Sequence, residues 1–393
     1  MNRLYIFPGG LTTLLALLFI FTYTGCERET TAPNEDTYNY FEPPPELNDG
    51  WSTGGLSEAG LNYVPIKEML DAITGWGGHG FNGILIVKNN KLVFEKYYPG
   101  KVFDFNIPGL TNTPIEYTPG TLHFLASQSK SVTSLLFGIA ADKGYIGPVT
   151  DSIKSYFSPE YASLFTSGKE RITIRHLLTM SSGMPWSENP PGTGDLYYLF
   201  RVSDPVYYLL NKPLETTPGT FHYNSGSTNL LAEIIYRKTN KNLRQFAAEN
   251  LFTHLGIDTF DWKTIRGEHI FASGGLFLTP RSMAKIGQLC LNKGLWNGKR
   301  IVSEEWIDES TKSWIYPTEF GLGNGYGYQW WLNDFYQNSK KYECYFAAGW
   351  GEQMMYVFPK ENMIVLFFGE YYTTGPRMSI NSLVSNYVLR ACR

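Results

Sequence analysis

Ser127 and Lys130 stand three residues apart in the run Leu125-Ala126-Ser127-Gln128-Ser129-Lys130-Ser131-Val132. Residues i and i+3 share a helix face, so on a helix the amine can reach the hydroxyl. A serine hydroxyl is a poor nucleophile until its proton is taken. A lysine desolvated among apolar neighbours is driven toward the neutral form that can take it. Val132, Leu135, Leu136, Ile139 and Ala140 form one apolar stripe and Lys143-Gly144 supplies a stop, which predicts a helix over Gln128 to Gly144. Ser127 would then lie at the positive end of a buried helix, where backbone N–H groups and the dipole favour developing negative charge. The spacing alone decides little, because Ser282-Met283-Ala284-Lys285 repeats it in the same chain.

Context separates the two. The wording Ser127-Gln128-Ser129-Lys130-Ser131-Val132-Thr133-Ser134 is followed by Gly138-Ile139-Ala140 and Lys143-Gly144-Tyr145-Ile146. Next come Ile172-Thr173-Ile174-Arg175-His176-Leu177-Leu178-Thr179-Met180-Ser181-Ser182-Gly183, Pro218-Gly219-Thr220-Phe221-His222-Tyr223-Asn224-Ser225-Gly226 and Ser273-Gly274-Gly275-Leu276-Phe277-Leu278-Thr279-Pro280. In this order, from about Leu56 to the C-terminus, the chain resembles the penicillin-recognising serine hydrolases. The resemblance is to the branch holding class C β-lactamases, D-aminopeptidases and DD-peptidases, family VIII esterases and nylon-oligomer hydrolases. It aligns Tyr223 with the tyrosine of the family's Tyr-x-Asn signature and implies that Tyr223 relays protons between Ser127, Lys130, the leaving group and water. A phenolate beside a lysine ammonium would be stabilised for that work.

Two departures bear on the substrate. Ser225 stands where the family's asparagine helps hold an amide side chain, and a hydroxyl cannot present an amide's paired donor and acceptor. Most relatives carry Lys-Thr-Gly or His-Thr-Gly on a late strand, whereas the best match here is Ala347-Ala348-Gly349-Trp350-Gly351. By the resemblance, Gly349 lets the strand backbone approach the substrate, and the N–H groups of Ser127 and Trp350 form the oxyanion hole. No cation occupies Ala347 or Ala348. The family uses that cation on the carboxylate of penicillins and D-Ala-D-Ala peptides, so an uncharged ester or cyclic amide is favoured.

The 393 residues, 43% hydrophobic and 16% aromatic, can bury one large core with an inserted subdomain. A formal net charge of -3 with no basic stripe, zinc-like spacing or P-loop gives nucleic-acid, metal and nucleotide functions little footing. No cofactor is implied. Gly323-Asn324-Gly325-Tyr326-Gly327 reads as a loop entering a strand from Tyr326 to Leu332.

At the N-terminus, Arg3 precedes an apolar run from Leu11 to Phe21, too short to span a bilayer and suited to a signal peptide over residues 1–25. Thr24-Gly25-Cys26 resembles the end of a bacterial lipobox, which implies a lipid on Cys26. Residues 26–55, polar and carrying Pro43-Pro44-Pro45, read as a tether. The expected location is the bacterial cell envelope, periplasm or outer membrane, held through that lipid, or otherwise the secreted state. Cys290, on the apolar face of a helix from Arg281 to Lys293, reads as a buried hydrophobe; pairing among Cys290, Cys344 and Cys392 is open. His176 and His222 have no spaced acidic partner of the kind a Ser-His-Asp triad uses and read as structural or pocket-lining.

Remaining elements are a helix from Glu58 to Ile73, a hairpin Gly83 to Lys88 and Lys91 to Tyr97 turning at Asn89-Asn90, and strands Tyr342 to Ala348, Met354 to Phe358 and Met363 to Phe368. A last helix runs from Ser379 to Ala391. Strands at both ends enclosing helices predict an α/β fold of the α+β type. An antiparallel sheet is flanked by helices within a domain over residues 56–393, with a mainly helical insertion at about 146–271. The resemblance implies the same β-lactamase/transpeptidase-like fold. The expected activity is a serine hydrolase acting through an acyl-enzyme on a small-molecule ester, amide or β-lactam, carboxylester first. The alternatives are a β-lactamase or DD-peptidase, and a non-catalytic ligand-binding lipoprotein. The sequence does not speak to oligomeric state.

Overall fold

The computed structural model describes residues 42–105, 109–188, 193–373 and 375–392. The signal segment, Cys26 and the first part of the tether lie outside the described residues.

The runs Phe81–Lys88 and Met363–Gly369 are apolar almost throughout, which suits strands covered on both faces. They lie side by side at the centre of an eight-stranded sheet. From edge to edge its order is Ser52–Thr53, Lys91–Tyr97, Phe81–Lys88, Met363–Gly369, Gln353–Phe358, Lys340–Gly349, Trp331–Gln337 and Gly325–Tyr326. Every pair is antiparallel except the first. The predicted hairpin forms with Asn89 and Asn90 at φ +53° and +63°, left-handed values that asparagine tolerates and that match strand twist.

Alternation divides the sheet between two cores. Leu85, Val87, Tyr345, Ala347, Met355 and Val357 face the core shared with helices Ser129–Asp142 and Pro280–Leu291. Ile84, Ile86, Phe346, Met354 and Tyr356 face the core under the terminal helices, which begin with Tyr63–Gly75 and Ile380–Leu383. Each fully buried Leu, Ile or Phe contributes about 1.5–3 kcal/mol, so both layers are held firmly. Helices predominate between the two halves of the sheet, as expected for the insertion.

Three boundaries differ from the sequence reading. The first helix starts at Tyr63, where the Asn62 side chain accepts the Val64 N–H and caps it. The aromatic run Tyr326 to Leu332 is not one strand. Gly327 N–H bonds Trp330 O and Gln329 takes φ +65°, a turn that buries Gln329 between helices. The folded body also begins before Leu56. Ser52 and Thr53 pair with Lys91 and Leu92, and Arg281, 2% exposed, binds Glu95 at 2.6 Å, Asp49 at 3.1 Å and Pro45 O at 2.8 Å. The end of the tether is thus docked by a buried cation that needs its carboxylates. The Cys290, Cys344 and Cys392 thiols are all free, and Cys290 is buried as expected.

Removing one partner of a buried pair strands the other's charge. Arg281→Met is expected to cost about 3 kcal/mol or more of folding stability, read as a lower urea midpoint at unchanged slope. A change under about 0.5 kcal/mol would show that the pair adds nothing.

Candidate active site

Three segments converge on Ser127. It lies in the single 3-10 turn Ala126–Gln128 that leads into helix Ser129–Asp142. Ala126 sits at φ +47°, an uncommon value for a residue with a Cβ, and costs on the order of 1–3 kcal/mol. The turn is held on both sides. Leu125 N–H bonds Leu276 O at 3.0 Å, and Ser129 Oγ donates to Ala126 O at 2.6 Å while accepting Leu276 N–H at 3.2 Å. On the other side runs strand Lys340–Gly349, so close that a Cβ on Gly349 would lie 2.3 Å from Leu125 O. Only glycine fits there, and the late strand brings its backbone to the serine turn.

Lys130 is 2% exposed, with Nζ 2.8 Å from Ser127 Oγ and 2.8 Å from Ser273 O. Burial pulls its pKa down to about 8, while the negative charge of Glu188 draws it partly back. Much more of the amine is therefore neutral at pH 7 than for a solvated lysine. Ser273 is fixed in turn by Asn229, whose Oδ1 accepts the Ser273 N–H and whose Nδ2 donates to Ser273 Oγ, both at 3.2 Å.

Tyr223 completes the cluster, its acidity coupled to the Ser127 hydroxyl, and Lys130 Nζ lies 4.9 Å from the centre of its ring. Its acidity departs from the sequence reading. Burial and the charge of Glu188 raise its pKa well above the usual phenol value, so Tyr223 rests as a phenol, not a phenolate. Of the pair, Lys130 is the group able to accept the first proton, and Tyr223 is suited to pass protons on.

The competing Ser282 and Lys285 do not meet as a pair. Ser282 Oγ accepts from Thr279 Oγ1 at 2.8 Å, and Lys285 Nζ donates to Gly256 O at 2.9 Å. His222 does have an acidic partner, Glu319, which is 97 residues away and so was invisible as a spacing. Nδ1 lies 2.8 Å from Glu319 Oε1, and Nε2 faces the backbone of Trp186. Both ring nitrogens are engaged, consistent with a structural role. His176 caps its own helix through Thr173.

Ser225 is 2% exposed, and its N–H bonds Glu188 Oε1 at 2.8 Å. Its neighbour Asn224 caps helix Ser225–Thr239. The side chain beside this helix start is therefore the carboxylate of Glu188, which no motif flagged. Glu319, Asn229 and Gln329 were likewise missed. Gln329, 1% exposed, accepts from Ser131 Oγ and Thr228 Oγ1 and donates to Leu177 O and Leu178 O, tying three helices together. Exposed aromatics rim the site: Trp350 is 45% exposed and packs on Phe103 and Tyr372, and Phe320, 59% exposed, meets Tyr223 edge-on.

In sequence and in fold the chain is similar to known proteins. The β-lactamase family model matches residues 74–377. A protein of Escherichia coli O157:H7 named "Putative D-alanyl-D-alanine carboxypeptidase" is 25% identical over 68% of this chain and 73% of its own length. The 6-aminohexanoate-dimer hydrolase of Paenarthrobacter ureafaciens is 26% identical over 55% of this chain; the match covers 59% of that protein. Among solved structures, the "Putative 6-aminohexanoate-dimer hydrolase from Bacillus anthracis" superposes with a TM-score of 0.64 at 23% identity, covering 91% of this chain and 88% of that one.

The burial of Lys130 is directly measurable. Side-chain 15N NMR of the lysines should show one amine titrating near pH 8. In Glu188→Gln that titration moves lower still, because a carboxylate that favours the ammonium is gone. Titration of Lys130 with the solvated lysines, near pH 10.4, would contradict the desolvation account.

Proposed function

The chain belongs to the β-lactamase family, and on that footing we propose that it is a serine hydrolase acting through an acyl-enzyme on Ser127, with a carboxylester or small amide as substrate. The observation that carries the reading is the 2.8 Å approach of the buried, partly neutral Lys130 amine to Ser127 Oγ. Ser127 Oγ gives its proton to Lys130 Nζ and attacks the carbonyl carbon. The oxyanion is received by the N–H groups of Ser127 and Trp350. On collapse the C–O or C–N bond breaks, and the leaving group takes the proton from Lys130 through the Tyr223 phenol. Water then attacks the acyl-serine ester, gives up its proton along the same relay, and releases the acid and a regenerated Ser127.

Ala347 and Ala348 in place of a cation argue for substrates other than penicillins or carboxylate-ended peptides. The E. coli relative's name favours a D-alanyl-D-alanine peptide instead, which keeps the peptidase as a second reading. Exposed Trp350 and Phe320 suit an apolar acyl or alcohol part. Cys26, followed by a polar stretch, supports lipid anchoring at a bacterial envelope as part of the same proposal.

A fluorophosphonate probe with the protein from residue 27 onward is expected to place its adduct on Ser127, and Ser127→Ala to remove both adduct and turnover. Hydrolysis that survives in folded Ser127→Ala sinks the mechanism. Because the reactive form holds Lys130 neutral, kcat/KM for a neutral ester should rise with pH through about 8 and then level off. A flat profile from pH 6 to 9 would mean that Lys130 is not the base.

A further inference from the structure

Apart from the Lys130 amine, which is committed to Ser127 and Ser273, the charged side chain brought beside the serine is a carboxylate, the reverse of what a carboxylate-binding cleft needs. Glu188 stands half-buried beside the reacting groups, and its charge is felt by Lys130, Tyr223 and Tyr326. Its position is built. Oε1 accepts the Ser225 N–H at 2.8 Å, two residues after Tyr223. The preceding Ser187 is clamped by Asp195, whose Oδ2 accepts the Ser187 N–H at 2.7 Å. Asp195 is itself fixed by Lys212 and the Tyr208 hydroxyl, each at 2.5 Å. Lys212 is thus committed to Asp195 and does not neutralise Glu188. A second carboxylate, Glu319, accepts the Tyr223 N–H at 3.4 Å and meets His222 Nδ1 at 2.8 Å. The late strand that passes the serine turn ends in Ala347, Ala348 and Gly349, without a cation.

We propose that Glu188 is a specificity-determining residue that selects substrates carrying an ammonium group near the scissile carbonyl and rejects those carrying a carboxylate. The inference rests on the hydrolase reading and names the substrate class for it. Oε1 is used by the helix start, so Oε2 is the oxygen that meets the cation. In a desolvated cleft a charged partner of this kind sets selectivity, because a carboxylate brought to the same place meets like charge. The competing role for Glu188 is purely structural, an acceptor for the Ser225 N–H. Gln can also fill that role, since its amide oxygen accepts the same bond.

The test uses three nitrophenyl esters of matched acyl length ending in trimethylammonium, tert-butyl or carboxylate. The wild-type protein is expected to favour the cationic ester over its neutral isostere by about ten- to a hundredfold in kcat/KM, and to discriminate against the anionic one. In Glu188→Gln the cationic-to-neutral ratio should fall to about one, while Glu188→Asp retains a preference for the cation. The ratio is measured within one preparation, so partial misfolding of a variant does not affect it. A wild-type ratio near one, or a ratio unmoved in Glu188→Gln while the neutral ester is still cleaved, overturns the proposal and leaves the hydrolase reading standing. Failure to cleave any ester, together with no fluorophosphonate adduct on Ser127, overturns both.

Discussion

Taking a lysine ammonium out of water costs several kcal/mol, and the arrangement around Lys130 both imposes and limits that cost. Its amine is left with the Ser273 carbonyl, the Ser127 hydroxyl, a tyrosine ring and the field of one half-exposed carboxylate. With less compensation the amine would be neutral but the site hard to fold; with more it would stay an ammonium and leave Ser127 its proton. The rest of the fold serves this balance. The apolar stripe of helix Ser129–Asp142 sinks the lysine, strand Leu276–Leu278 and the Asn229–Ser273 pair fix its carbonyl partner, and the close passage of Gly349 seals the other side.

The same balance explains why the nucleophile turn can be strained. Ala126 holds a left-handed backbone because Leu125 and Ser129, on either side of it, are both bonded to Leu276, in a strand whose leucines join the large core around helix Ser129–Asp142. A local cost of a few kcal/mol is small beside that burial. Gln329 works in the same direction: its turn breaks what the sequence suggests is a strand, yet spends its amide on two helix carbonyls and the buried Thr228 hydroxyl.

The central strands, the first hairpin and the serine helix were legible because period and composition carry them: continuous apolar runs, an Asn-Asn turn, an i, i+3, i+4 stripe. The Ser127–Lys130 contact was legible for the same reason, since it depends on local helix geometry. Glu188, Glu319 and Asn229 were not, because their relation to the site is made by folding across 37 to 97 residues and leaves no local spacing. Tyr223 was legible by its signature, but its acidity was not. A neighbouring ammonium was expected to favour the phenolate, whereas burial and Glu188 oppose it. Docking of the tether's end was missed because Arg281, in a helix, meets Asp49 and Glu95 only through the sheet edge.

On the proposed mechanism the first proton goes to a lysine although a histidine is close in sequence to Tyr223. His222 lies next to Tyr223 in sequence and has a carboxylate partner, which on paper resembles the orienting pair of a histidine base. Its two nitrogens, however, are consumed by Glu319 and the backbone of Trp186, so neither faces the serine. What His222 and Glu319 do instead is hold the segment that carries Tyr223 against the loop that carries Trp186 and leads to Glu188. A hydroxyl, an amine and a phenol are thereby collected at one point, flanked by two carboxylates and faced by an alanine strand. On the proposed mechanism proton transfer depends on the first three, and the carboxylates together with the missing cation set the sign of the charge a substrate brings. Glu188 joins the two, because the charge that would select a substrate also favours the Lys130 ammonium and opposes the Tyr223 phenolate.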